Sequence, residues 1–318
     1  MKIVVLDGFT LNPGDNPWDD LLPLGDVEVY ERTPADQVIE RAVDADILVI
    51  NKIILSPDVL EQLPNLKFVA VTATGFNVVD IEATRARNIP VSNVPVYGTD
   101  SVAQFVFALL MQMCHNIGLH EAAVKDGEWT RCPDFCFWNT PQIELAGKTL
   151  GIVGFGRIGR RTGEIGHAMG MNVIANDLYT SEPPDYSPFA WASLDELFEQ
   201  SDAISLHAPL TPENTGLINQ TRLAQMKDSA FLINTARGPL VVEDDLATAL
   251  NDGAIAGAAL DVVMVEPMTA DNPLLKAKNC IITPHIAWAT LAARSRLMQT
   301  TVGNVRAFQA DAPENVVN

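Results

Sequence analysis

The chain has 318 residues, more than one ordinary domain needs and about right for two, each able to bury its own core. Its 40 acidic against 21 basic side chains leave a net charge of −19, which repels nucleic acid phosphates and anionic lipid and argues against both as general partners. No apolar run approaches a membrane span and the amino end MKIVVLDGF is too short for a signal-peptide core; Cys114, Cys132, Cys136 and Cys280 make neither a disulfide framework nor a zinc site, so a reducing cytoplasm is expected.

Residues 2–92 alternate short apolar strands (KIVVL, VEVYE, DILVI, LKFVAV, IPVS) with helical segments near 34–43, 56–63 and 79–87, the pattern of a parallel α/β unit. From Asp100 a long helix is predicted, with Val102, Phe105, Val106, Leu109, Met113 and Ile117 on the helical period and Thr99, Asp100 and Ser101 as available caps. Beyond the aromatic loop CPDFCFWNTP, strands recur at 149–153, 171–175, 202–206, 229–234, 255–260 and 279–283, a full dinucleotide-binding sheet. A last helix over about 288–310 finds that sheet complete and is expected to cross back to the first unit. The predicted class is α/β: two Rossmann-like domains with parallel sheets, the first discontinuous in sequence. Residues 1–99 with 288–318 make the substrate domain, and 100–287 the nucleotide domain.

The run TLGIVGFGRIGRRTGEIGHAMGMNVIANDLY writes strand, glycine turn, helix, strand and terminal acid in one stretch. Gly154, Gly156 and Gly159 form GxGxxG behind an apolar strand, which serves a tight turn, a backbone approach to pyrophosphate and close helix packing. The helix N-terminus offers unpaired amides to phosphate. Asp177, ending the next strand, accepts hydrogen bonds from ribose hydroxyls and repels a 2′-phosphate, so NAD is favoured over NADP.

In open α/β sheets ligands sit beyond the carboxyl ends of strands. Three later strand ends carry reactive groups: Arg237 in NTARG, Asp261 and Glu266 in DVVMVEP, and His285 in TPHIAW. Beside NAD this set suggests interconversion of a small anionic 2-keto acid and its 2-hydroxy acid. His285 supplies the proton near neutral pH. Glu266 holds the other ring nitrogen, and Arg237 polarises the carbonyl and grips the carboxylate through its planar fork. His115 and His120, five apart on a helix, do not suit a shared metal and none is expected; His207 is assigned a supporting role at most.

Along nearly its whole length the chain resembles the D-isomer-specific 2-hydroxyacid dehydrogenases. GFGRIG with Asp177, NTARG, DVVMVEP and TPHIAWA occur in that family's order. The last motif, with VTATGFNVVD and DFCFW, is most similar to its glycerate dehydrogenase (hydroxypyruvate reductase) branch. The resemblance implies Arg237, Glu266 and His285 as the catalytic set. Thr74 and Gly75 would bind substrate carboxylate through backbone amides, with Asn51 and Lys52 as further polar substrate contacts. Arg157, Ile158, Pro209, Thr235 and Asp261 would touch cofactor. It also implies a homodimer built on the long helix and the following loop, with Trp138 reaching the neighbour's site or simply burying apolar area. Val242 departs from the family, where an acid commonly follows RGxLV. The leading expectation is reduction of hydroxypyruvate and glyoxylate. A phosphoglycerate dehydrogenase and an NAD-sensing corepressor are the alternatives; for the phosphorylated substrate, Lys52 and Arg237 are a thin cationic supply.

Overall fold

The structure, a computed structural model, describes residues 1–318. The chain divides into two compact units, Met1–Gly98 with Ala289–Asn318, and Thr99–Trp288.

In chain order the first unit forms β1 (Lys2–Val5), β2 (Asp26–Val29), α1 (Val38–Ala42), β3 (Ile47–Ile50), α2 (Pro57–Glu61), β4 (Phe68–Val71), α3 (Ile81–Ala86) and β5 (Val91–Ser92). The strands pair in parallel in the order β2-β1-β3-β4-β5, which reverses direction between β1 and β3. All four residues of β3 and of β4 are buried, as expected of strands covered on both faces. Ser56 and Asp80 stop the chain for α2 and α3 by accepting bonds from the amides of Val59 and Ala83.

The second unit forms α4 (Thr99–His115), α5 (Ile117–Lys125), α6 (Glu128–Arg131), β6 (Thr149–Val153), α7 (Arg157–Ala168), β7 (Asn172–Asn176), β8 (Phe189–Trp191), α8 (Leu194–Gln200), β9 (Ala203–Leu206), α9 (Gln220–Leu223), β10 (Phe231–Asn234), α10 (Glu243–Asp252), β11 (Gly257–Leu260) and β12 (Cys280–Ile282). Its sheet has seven parallel strands, ordered β12-β11-β10-β9-β6-β7-β8, against the six expected. The additional strand is β8, three residues beside β7. Alternate residues of β10 serve opposite cores: Phe231 and Ile233 pack with Val106 and Leu110 of α4, whereas Leu232 packs with Leu197 of α8 and Leu246 of α10. Last comes α11 (Leu291–Gln309), capped by Thr290 and folded onto the first unit, where Phe308 stacks on Phe68 of β4 at 4.5 Å.

Two local expectations fail. The long helix breaks at Asn116, whose backbone is left-handed (φ 46°, ψ 48°), and α5 departs at 52°, leaving Ile117 62% exposed rather than continuing the apolar stripe. Ser101 does not cap α4, because its hydroxyl donates to the carbonyl of Ala287 at 2.6 Å. No single helix is long and apolar enough to cross a membrane.

Candidate active site

The second sheet reverses between β6 and β9, and the glycine turn stands at that switch point. Gly154 turns with φ +89°, and a Cβ there would lie 2.5 Å from the amide nitrogen of Ala208, just past β9. A Cβ on Gly159 would stand 2.2 Å from the carbonyl oxygen of Gly154, so the first turn of α7 reaches the strand only without a side chain. Gly156 is different, since nothing lies within 4 Å of the Cβ it lacks. The chain's own packing demands two of the glycines, and the third opens onto free space where a ligand can approach the backbone.

Asp177 follows β7 and turns back to this loop. Its carboxylate accepts from the amide of Phe155 at 2.5 Å and from that of Tyr179 at 2.9 Å. Arg157 and Ile158 form the first turn of α7. Pro209 is exposed beyond β9, its carbonyl held by Asn214 at 2.7 Å. Thr235, directly after β10, has a buried hydroxyl with no partner, a polar atom that a ligand group would satisfy. The open Gly156, the orphaned Thr235 hydroxyl and the Asp177 carboxylate fit a dinucleotide.

The three reactive strand ends are built by the turns behind them. Asn234 closes the turn after β10, accepting from the amide of Ala236 at 3.0 Å and donating to the carbonyl of Arg237 at 2.9 Å. The exposed Arg237 guanidinium donates to the carbonyl of Ala236 at 2.7 Å. A Cβ on Gly238 would lie 1.8 Å from the carbonyl oxygen of Val263, so this glycine lets the Arg237 turn seat directly against the segment that carries Glu266. That segment is braced by Glu243, which accepts from the amide of Met264 at 2.7 Å and from Asn272 at 2.8 Å. Glu266 accepts from the amide of Val263 at 3.2 Å through one oxygen and meets Nδ1 of His285 at 2.7 Å through the other. Both side chains are about one-third exposed, at 33% and 36%.

His285 itself holds a left-handed backbone (φ 55°), a conformation an ordinary side chain adopts only when its surroundings impose it. The surroundings are explicit. Its amide donates to the carbonyl of Thr283 at 2.9 Å, and its carbonyl accepts from the Trp288 indole at 2.9 Å. Asp261 completes the frame, its buried carboxylate accepting from the Thr283 hydroxyl at 2.6 Å and from the amides of Ile286 and Ala287 at 2.9 and 2.7 Å. Asp261, which the resemblance implies as a cofactor contact, braces the turn that presents His285. Of the supporting residues Asn234, Gly238 and Glu243, only Asn234, an Asn at a strand end ahead of a turn, carries a signal in the sequence.

In the first unit, Asn51 is buried at the end of β3 and donates to the carbonyl of Thr72 at 2.7 Å, which ties it to the end of β4. Lys52 beside it is exposed. Thr74 and Gly75 follow β4, and the Thr74 hydroxyl donates to the carbonyl of Val94 at 2.8 Å. In the second unit Trp138 is 67% and Phe135 90% exposed. His120 links the carbonyl of Asn116 (2.9 Å) to the amide of Asn139 (3.0 Å), and His115 meets Gln142 at 3.1 Å. No group of three or more His, Cys, Asp or Glu is placed to hold a metal ion. His207, after β9, sits 2.9 Å from the Ser205 hydroxyl, and burial pushes its pKa down to about 3.

Residues 107–287 match the family model described as D-isomer specific 2-hydroxyacid dehydrogenase, NAD binding domain. The hydroxypyruvate reductase of Blautia hydrogenotrophica is 51% identical over 321 residues, covering 100% of both chains. The glycerate dehydrogenase of Methylorubrum extorquens is 42% identical over 291 residues, 91% of this chain and 90% of that one. Among solved structures, D-lactate dehydrogenase from Aquifex aeolicus, complexed with NAD and lactic acid, superposes with a TM-score of 0.82 at 29% identity, covering 98% and 96% of the two chains. The chain belongs to the D-isomer-specific 2-hydroxyacid dehydrogenases and carries their NAD-binding domain.

Proposed function

We propose that the chain reduces hydroxypyruvate to D-glycerate with NADH, and glyoxylate to glycolate, with Arg237, Glu266 and His285 as the catalytic set. The observation that carries this reading is the His285–Glu266 pair, held on the sheet whose β6 bears the glycine turn. Hydroxypyruvate and glyoxylate are the substrates that the names of its relatives suggest.

Bound at the glycine turn, NADH would supply the hydride. His285 gives a proton from Nε2 to the substrate oxygen, on which charge develops during reduction. Nδ1 is already committed to Glu266 at 2.7 Å, so Nε2 is the nitrogen left for the substrate. The carboxylate stabilises the imidazolium that must exist before the transfer. Arg237 is exposed and bonded only to its neighbour's carbonyl, so its fork can swing to a carboxylate and hold it in plane with the carbonyl. On the first unit, the exposed Lys52 and the amides of Thr74 and Gly75 are proposed as substrate contacts on the strength of the family resemblance.

A homodimer is the proposed working form. The exposed apolar side chains Ile117, Trp129, Phe135 and Trp138 on α5, α6 and the loop that follows are what a second copy would cover, with Trp138 as the residue that would reach the neighbour's site. A reducing cytoplasm suits the four free thiols. Steady-state turnover of NADH with hydroxypyruvate, glyoxylate and 3-phosphohydroxypyruvate tests the assignment. The first two should be reduced and the phosphorylated acid disfavoured; a preference for the phosphorylated acid would overturn it.

A further inference from the structure

In a doubly wound sheet the ligand crevice lies where the strand order reverses. In the first unit this is the space beyond the carboxyl ends of β1 and β3. Asp7 follows β1 there, and Asn51, Lys52 and Ile53 follow β3. Three consecutive backbone amides of that turn converge on one carboxylate: Asn51 donates to Asp7 Oδ1 at 2.7 Å, and Lys52 and Ile53 donate to Oδ2 at 2.5 and 3.2 Å. Such a row of amides is the arrangement that binds external anions in other folds. Here the chain supplies the anion itself, from 44 residues away. The Lys52 ammonium also interacts electrostatically with this carboxylate. The hydrogen bonds to the Asp7 carboxylate come from the backbone of this turn.

We propose that Asp7 is a positioning residue for substrate: it fixes the backbone of the 51–53 turn and, through it, the placement of the Lys52 ammonium. Asn51 anchors the same turn from the other side through Thr72, so the turn is held at two points while the Lys52 side chain stays exposed for an anion. Burial raises the Asp7 pKa while the three amides oppose the shift. The carboxylate therefore sits in the first unit at an electrostatic cost that a purely solvated surface acid would not carry. The proposal deepens the reading above and rests on Lys52 serving the anionic substrate.

A double-variant cycle on the full chain tests it, with KM for hydroxypyruvate, KM for NADH and kcat measured for Asp7→Asn, Lys52→Ala and the pair. Each single substitution should raise KM for hydroxypyruvate about tenfold, and the pair should raise it no further than the larger single effect, because both remove one interaction. KM for NADH should stay near the parent value. Multiplied effects in the pair, or an unchanged KM for hydroxypyruvate in Asp7→Asn, would overturn the proposal. Should Asp7→Asn fail to fold, Asp7→Ser carries the same cycle with a shorter acceptor. A parent protein that turns over no 2-keto acid would overturn the underlying reading, and the proposal with it, and is distinguishable because it precedes any variant.

Discussion

Nδ1 of His285 and Oε2 of Glu266 lie 2.7 Å apart, although 19 residues separate them in the chain. The contact exists because Glu266 is pinned by the amide of Val263 and His285 is forced into a left-handed backbone by a turn that Asp261 braces. Replacing Glu266 by Gln keeps a hydrogen-bonding group and removes the charge that favours imidazolium. The expected result is a fall in kcat of about 10- to 100-fold, within the range of general acid–base contributions. KM for NADH should change little, and steady-state kinetics with both substrates varied reads the two effects separately.

Gly156 and Gly159 provide a matched pair. Gly159→Ala sets a Cβ against the Gly154 carbonyl at 2.2 Å, whereas Gly156→Ala adds one to open space on an extended backbone. Gly159→Ala should therefore cost about 1–3 kcal/mol of stability by overpacking, seen as a lowered melting temperature. Gly156→Ala should melt like the parent and yet bind NADH more weakly, measured by fluorescence titration. Equal melting of both variants would contradict the packing argument.

Asp177 reaches back to the amide of Phe155 inside the glycine turn. Asp177→Gly removes the ribose contacts and the charge that repels a 2′-phosphate together. NADH affinity should fall and the ratio of NADPH to NADH efficiency should rise, by about an order of magnitude. An unchanged ratio would move cofactor selection to another part of the site.

His207 carries a prediction for stability rather than turnover. Burial lowers its pKa from 6.5 to about 3, so below pH 6.5 the unfolded chain binds a proton that the folded one refuses. Stability is then lost as pH falls from 6.5 toward 3, at up to about 1.4 kcal/mol per pH unit. His207→Gln should flatten the melting profile between about pH 6.5 and 4.5. That window lies above the titration of Asp15, Asp46 and Asp195, whose pKa values arginine and lysine partners hold down. Identical profiles for parent and variant would place the acid sensitivity elsewhere.

The parallel α/β class and the NAD-binding motif were legible because they depend on local regularities: period-two and unbroken apolar runs, glycines at fixed spacing, an acid at a strand end. What was not legible depends on contacts between distant segments. FAW forms β8 only because β7 offers it an edge, and three residues among Pro and Ser carry no strand signal of their own. The apolar stripe ran on through Ile117 because periodicity does not register that Asn116 turns left-handed. Asp7 was not singled out by any sequence pattern, because its three amide partners lie 44 to 46 residues onward. The bracing role of Asp261 was hidden for the same reason, since the amides it holds lie 25 and 26 residues onward.

The most direct test of the account is NADH oxidation with hydroxypyruvate by the parent protein and by His285→Ala, with NADH affinity measured on both. The account predicts parent turnover within the ordinary enzyme range of about 1 to 1000 per second, a loss of about 10²- to 10⁴-fold in the variant, and nearly equal NADH affinity. Tight NADH binding by a parent protein without turnover, or a variant as active as the parent, would contradict it.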